Sequence, residues 1–401
     1  MKYINNAKII LKDRIVEGKA LAYDEKISGV VSVDSIPAGA EVIDAKGAYV
    51  APGFIDIHIH GYMGEDSSDG KAEGIRKMSE GIVKNGVTAW LPTTMTVSVE
   101  QLEKAFAAIA SVKEESKSWN GSAILGVNAE GPYINAKKKG AQAEENILLP
   151  DASFFKKYGD LIKIATMAPE QDKDFAAIRD LKQNTDILIS MGHTNATFEE
   201  AMAATENGVG HITHLFNAQT PLTHRAPGVV GAALTADVSV ELICDTFHIH
   251  KGLFSLIAKV KGDKLCLITD CTRGGGMPDG EYDLGGQTFT LKGIECLLSD
   301  GTIAGSVLKM NQAVRNVYEN TDLPLFEVVN AASLNPANAI GVGAFKGSIE
   351  SGKDADLVIF DNCKNRDQNM LNVARRTCGY IGTQFWNQGR TQEIKERVLH
   401  L

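Results

Sequence analysis

The run Pro52-Gly53-Phe54-Ile55-Asp56-Ile57-His58-Ile59-His60-Gly61 decides how the rest of the chain is read. It leaves a Pro-Gly turn, continues as a short apolar strand, and carries two histidines two positions apart. On an extended segment such residues project to the same side, so both imidazoles can face one cation. Alone, the pair could also be two polar side chains on one strand face. The preceding Asp56 and the surrounding run favour the cation.

Upstream, Lys8–Leu11, Ile27–Val33 and Ala40–Ile43 alternate apolar and polar positions between Gly and Pro, which predicts strands of an antiparallel sheet. Downstream the texture changes. Apolar runs at Gly53–Ile57, Thr88–Leu91, Ala123–Val127, Ile162–Met167, Ile187–Met191, His211–Leu215, Val238–Ile243 and Lys264–Ile268 give eight candidate strands. Between them lie charged segments of helical spacing, such as Lys71–Asn85, Val99–Ser116, Phe175–Gln183 and Phe198–Asn207, mostly ending near Gly or Asn. Eight βα units fit an α/β fold of the (β/α)8 TIM-like barrel type, usually ~250 residues before insertions. The rival, an open doubly wound sheet, lacks a G-x-G-x-x-G at the start of its first helix. Gly347–Phe360 (GSIESGKDADLVIF) returns to β texture. The expected organisation is therefore a barrel over 53–344 and one small β domain built from 1–52 and 345–401. The Gly-rich Arg273–Gly280 reads as turn chemistry or as a ligand-covering loop.

Composition narrows the function. The 401 residues include 44% apolar and 23% charged side chains, enough to bury a large core and too apolar for a disordered chain. A net charge of −9 leaves no broad positive field for nucleic acid or an anionic membrane, so an anionic ligand would need a local cation. The one run of three cations, Lys137–Lys139, reads as a solvated loop. Cysteines 244, 266, 271, 296, 363 and 378 show no C-x-x-C spacing and read as free thiols of a reducing cytosol. Ile9–Leu11 is too short for a secretory apolar core, and no stretch approaches the ~20 apolar residues of a membrane span. A cytoplasmic protein is expected, with no membrane or nucleic-acid partner.

Eight of the nine histidines, at 58, 60, 193, 211, 214, 224, 248 and 250, stand mostly just after a candidate strand. Barrel active sites lie at the carboxyl ends of strands, where residues distant in sequence converge. Glu130 in NAEGPY, His193 in MGHTNAT and His214 in THLFNA each occupy such an exit, which makes them candidate metal ligands beside His58 and His60. Singly, each could be a loop acid or a satisfied histidine. Asp270 closes the apolar run CLITD. Near a cation it could take a proton from water and return it to a leaving group; otherwise it is a helix N-cap.

In order along the chain, PGFIDIHIHG, EGPYIN-x-x-KKGA, MAPE, GHTNAT, THLFNA, HRAPG, ITD, GTIAGS, NPA and GSIESGKDADLVIFD resemble the N-acetylglucosamine-6-phosphate deacetylases of the amidohydrolase superfamily. The resemblance implies a metal-dependent barrel flanked by a β-sandwich from both termini, usually a homodimer, that removes acetate from an amino-sugar phosphate in amino-sugar catabolism. It assigns Glu130, His193 and His214 as principal metal ligands and Asp270 as catalytic acid and base. His58 and His60 match a superfamily pair that permits a second ion, so one or two divalent ions, zinc for preference, are expected. Ala141, Asn217, Ala218, Arg225, His248 and the turn Ile303-Ala304-Gly305 match sugar-phosphate contacts. Arg225 would bind phosphate, in the family from the neighbouring subunit, or else form a loop salt bridge. The sequence departs from the pattern at Asn128, at Gln142 where an imidazole is usual near the sugar, at Gln219, and after Asp361. Gln142 keeps in play the epimeric N-acetylgalactosamine 6-phosphate or another amidohydrolase substrate. A metal-free binding homologue is the alternative from another class.

Overall fold

The computed structural model describes residues 1–360 and the backbone of two later strands, Asn369–Ala374 and Gln384–Trp386. Cys363, Cys378, His400 and the rest of the expected 345–401 segment lie outside the described residues.

The barrel strands are β1 (Phe54–Ile59), β2 (Val87–Thr94), β3 (Val127–Glu130), β4 (Ile162–Met167), β5 (Leu188–Met191), β6 (His211–Ile212), β7 (Ser239–Ile243) and β8 (Leu265–Ile268). Each pairs in parallel with the next, from β1–β2 to β7–β8. Such strands are covered on both faces, which is why β1 and β2 are buried at every position. The ring closes beyond β8, where the Asp270 N–H donates to His58 O at 2.9 Å and the Thr269 hydroxyl donates to Asp56 Oδ2 at 2.6 Å. The apolar run 123–127 divides into Ala123–Ile124 and β3, because the backbone at Gly126 passes so close to Leu161 O that a Cβ would lie 2.6 Å away. The run 211–215 is strand only at its first two residues, since His214 turns the chain with φ 27°.

Helices fall where their spacing places them: Ala72–Ile82, Val99–Lys113, Ala176–Asn184 and Phe198–Asn207. The last starts at a capping box, in which Thr197 Oγ1 accepts the Glu200 N–H at 3.2 Å and Glu200 Oε2 accepts the Thr197 N–H at 2.8 Å. No helix of the described residues is long and apolar enough to cross a membrane.

The terminal β unit consists of two sheets around Ile4, Ile9, Leu21, Ile27, Val50, Ile349, Leu357 and Ile359. These sheets are mixed rather than antiparallel. Lys2–Asn5 runs parallel to Glu41–Asp44, and Lys8–Ile10 parallel to Tyr49–Pro52, because the strands between each pair supply a long crossover. Leu357–Phe360 pairs antiparallel with Tyr49–Pro52, and the Gly53 N–H donates to Asp356 O at 2.8 Å. Leu357–Phe360 thus holds the residues that lead into β1. Within the barrel segment, Gly280–Leu284, Gln287–Lys292 and Glu295–Leu298 form a small antiparallel sheet that the texture reading does not resolve. The Gly-rich run before it is tied down: the Arg273 guanidinium donates to Asp69 at 2.9 Å, and a side chain on Gly275 would run into Cys271 and Tyr62.

Lys346 joins Asp354 (2.9 Å) and Asp356 (2.5 Å), with all three side chains largely buried, and Lys26 reaches Asp354 from the other terminus at 2.6 Å. Burial opposes the charge on Asp354, but Lys26 and Lys346 outweigh it and hold the carboxyl below its ordinary value. That contribution is complete above the ordinary Asp pKa of about 4 and is lost as pH falls through the lower folded value. Lys346→Met should therefore destabilise the chain by about 3 kcal/mol at neutral pH. In denaturant titrations the gap from wild type should narrow at acid pH; an equal gap at both pH values would count against this account.

Candidate metal centre

Six side chains meet at the carboxyl ends of the strands: His58 and His60 from β1, Glu130 from β3, and His193, His214 and Asp270 just beyond β5, β6 and β8. They form two groups, His58/His60/Asp270 and Glu130/His193/His214, and in each the donor atoms lie within 4.8 Å of one another. All six are buried. His193 (φ 46°), His214 (φ 27°) and Asp270 (φ 50°) leave their strands in the left-handed region, uncommon for non-glycine residues and concentrated at functional sites. Gly305 (φ 59°) is required beside them, since a Cβ there would lie 3.0 Å from Asp270 O.

The two groups touch. Glu130 Oε1 lies 2.9 Å from His214 Nε2, 3.2 Å from His193 Nε2 and 3.4 Å from His58 Nε2, while Oε2 lies 3.3 Å from His60 Nε2. Asp270 Oδ1 is 3.2 Å from His60 Nε2 and 3.6 Å from His58 Nε2. His193 and His214 bring their Nε2 atoms to 3.1 Å, His58 and His60 to 3.3 Å.

The opposite ring nitrogens decide whether this donor set fits a cation. His58 Nδ1 faces Glu241 Oε2 at 2.8 Å, His60 Nδ1 faces Thr93 O at 3.2 Å, and His193 Nδ1 faces Lys138 O at 2.9 Å. Each of those oxygens only accepts, so each Nδ1 carries a proton, and a ring that gives up its other proton presents the Nε2 lone pair to a cation. Converging lone pairs repel unless positive charge lies among them. Imidazole nitrogens mixed with carboxylate oxygens suit a borderline divalent cation. The electrostatics agree. Burial opposes charge on His58, but Glu241 and Glu130 outweigh it and raise the pKa to about 9; Asp270 and Glu130 raise His60 well above its ordinary value. Against its burial, His193 and His58 hold Glu130 well below the carboxylate range, and His60 with His58 holds Asp270 down.

Several residues not named as site candidates from the sequence support the cluster. Glu241, fully buried in β7, accepts from the His58 ring, from the His214 N–H at 3.0 Å and from His211 Nε2 at 3.2 Å. Glu170 accepts from Thr194, Asn195 and Asn135 around His193. Asp245 receives His248 Nδ1 at 2.6 Å and the His248 N–H at 2.8 Å. Asp56 is raised to about 7 by burial even though Thr269 and the His58 N–H donate to it. Acids inside otherwise apolar runs, as in SVELI, were the available signal.

The candidate substrate residues are placed as follows. Gln142 is committed to protein partners: Oε1 accepts the Thr96 N–H at 2.7 Å, and Nε2 donates to Glu130 Oε2 at 2.6 Å. Ala141 is buried next to it, and Asn217 Nδ2 donates to His214 O at 3.2 Å. Ala218 O accepts the Thr194 N–H, and Ala304 N–H donates to Cys296 O beside Ile303 and Gly305. Arg225 is exposed and forms no ion pair among the described residues, so the loop salt bridge is not made among them. No hydrogen bond joins Arg225 or His248 to the six-residue cluster among the described residues.

The sequence profile of the amidohydrolase family matches residues 49–385. An N-acetylglucosamine-6-phosphate deacetylase of Bacillus subtilis is 40% identical over 365 residues, 89% of this chain and 92% of that protein. An N-acetylgalactosamine-6-phosphate deacetylase of Escherichia coli O157:H7 is 33% identical over 338 residues, 83% of this chain and 88% of the relative. Among solved structures, the N-acetylglucosamine-6-phosphate deacetylase of Pasteurella multocida superposes with a TM-score of 0.87 at 34% identity, covering 94% of this chain and 98% of that one. A barrel bearing two adjoining His/carboxylate nests, together with these likenesses along nearly its whole length, shows that the chain belongs to the amidohydrolase family.

Proposed function

We infer that the chain is a metal-dependent hydrolase that converts N-acetyl-D-glucosamine 6-phosphate to D-glucosamine 6-phosphate and acetate. One observation carries the chemistry: the Asp270 carboxylate stands at the rim of two contiguous cation nests at the mouth of the barrel. The substrate class rests on the relatives, two of which act on epimeric sugar phosphates by name. The epimer is the second reading, favoured by Gln142 in place of the usual imidazole.

Glu130, His193 and His214 would hold one divalent ion, zinc by the chemistry of the donors, and His58 and His60 with Asp270 a second. The ion supplies Lewis acidity, polarising the acetamide carbonyl and making water more acidic. Asp270 accepts a proton from the attacking water at a carboxylate oxygen and delivers it to the amide nitrogen as the C–N bond breaks. The water oxygen leaves in acetate, and the amine stays on the sugar. His248, its ring fixed through Nδ1 by Asp245, turns Nε2 to the carbonyl oxygen as charge develops. Asn217, Ala218, Ala141, Gln142 and the 303–305 turn bound the sugar. Arg225 is the phosphate ligand: its fork of donors is exposed and uncommitted among the described residues, in keeping with use across a homodimer. The four described cysteines are buried thiols, which supports a reducing cytosol.

Chelation should abolish activity in wild type, and zinc should restore it. Glu130→Ala, which takes an oxygen from both nests, should hold less than one ion per chain after dialysis and stay inactive; two retained ions would remove Glu130 from the ligand set. Asp270→Asn should lower kcat by about 10^3-fold while substrate still binds, and near-normal turnover would sink its role. Parallel assays with N-acetylglucosamine 6-phosphate, N-acetylgalactosamine 6-phosphate and unphosphorylated N-acetylglucosamine test the substrate. The first should have the highest kcat/KM. Arg225→Ala should raise KM for the phosphorylated sugars alone; an equal effect on the unphosphorylated sugar would place phosphate recognition elsewhere.

A further inference from the structure

Glu241 touches both halves of the cluster from beneath. It is fully buried in β7, at the register position Glu241↔Cys266, and its two oxygens are divided between three partners. Oε2 accepts from His58 Nδ1 at 2.8 Å and from the His214 backbone N–H at 3.0 Å; Oε1 lies 3.2 Å from His211 Nε2. His58 belongs to one nest and His214 to the other. The Leu215 N–H also donates to Glu241 O at 2.9 Å, so β7 holds the turn that carries His214 through backbone and side chain together.

The hydrogens can be assigned from the network. An ionised carboxylate accepts only, so His58 must carry its proton on Nδ1 and keep Nε2 free for a cation. His211 Nε2 faces Oε1 and its Nδ1 lies 2.5 Å from the Ser239 hydroxyl, contacts that hold Oε1 and so leave Oε2 facing His58 and His214. A buried carboxylate on β7 with no role in the reaction steps is costly to bury unless such partners use it. His214 has its φ at 27°, an unfavoured conformation that needs an external hold.

We propose that Glu241 is a positioning residue for the metal centre: it fixes the tautomer of His58 and the strained turn of His214 in common, and so sets the spacing of the two cation nests. The proposal rests on the metal-dependent reading above and adds the residue that couples its two halves. Ions should bind more weakly without the carboxylate, and first at the nest containing His58, whose ring it contacts directly.

The test is zinc titration of metal-free protein against a chromophoric chelator, with ion stoichiometry by mass spectrometry of the metal, for wild type, Glu241→Gln, His58→Ala and the double variant. Glu241→Gln should weaken zinc at the weaker site by about 10- to 100-fold. The double variant should bind no more weakly than His58→Ala at that site, because Glu241 acts through His58. Wild-type affinities in Glu241→Gln, or additive losses in the double variant, would overturn the proposal. A general loosening of the fold would not give such non-additivity. If wild type holds a single ion, the two-ion reading falls, and the same cycle on that ion decides Glu241: non-additive weakening supports it, and an ion indifferent to His58→Ala overturns it. Should Glu241→Gln fail to fold, His211→Leu, which frees Oε1, takes its place with a smaller loss expected in the same cycle.

Discussion

Everything at the mouth of the barrel depends on four imidazole Nε2 atoms gathered around the carboxylates of Glu130 and Asp270. The Nε2 atoms approach one another to 3.1 and 3.3 Å in pairs, and three of the four rings are anchored at the opposite nitrogen, by Glu241, Thr93 O and Lys138 O. Those anchors come from β7, from β2 and from the loop after β3. The site is thus a tension between inward-facing bases and outward-facing hydrogen bonds, relieved by positive charge. Glu130 works at the centre of it, with both oxygens in use.

The rigidity this demands explains features that otherwise look unrelated. Parallel strands buried on both faces give fixed exits, and three of the exits are bent through left-handed residues that no loop would choose on its own. Glycine appears where backbone must pass closest, at Gly305 against Asp270 and at Gly275 against Tyr62 and Cys271. The Gly-rich run after Asp270 is accordingly short of freedom, with Arg273 pinned to Asp69.

Much of this is legible in the sequence, for a definite reason. Strand exits in a barrel are marked twice, by the end of an apolar run and by the chemistry of the residue that follows, so His58, His60, Glu130, His193, His214 and Asp270 can be named from residue order alone. Glu241 and His211 cannot, because they lie within apolar strands and their use depends on which strand ends stand opposite. Gln142 is visible as a departure from a pattern, yet its hydrogen bonds to Glu130 and Thr96 follow from a loop path that no spacing encodes. The mixed terminal sheets escape for a similar reason: alternation reports which face is buried and says nothing about strand direction. The sheet over 280–298 is hidden inside a stretch whose glycines dominate its texture.

The pairing of Leu357–Phe360 with Tyr49–Pro52 has a consequence in time as well as in space. The strand carrying the first two histidines follows directly from a segment whose antiparallel neighbour is among the last parts of the described chain to be synthesised, and the Gly53 N–H finds its acceptor only there, at Asp356. A ribosome making this protein releases His58 and His60 early, but the edge of Tyr49–Pro52, which leads into their strand, stays open until Leu357–Phe360 has emerged. Such long sequence separation between partners slows folding. It also means that a truncated chain retaining every metal-ligand candidate would still lack the strand that pairs with the lead-in to the first two.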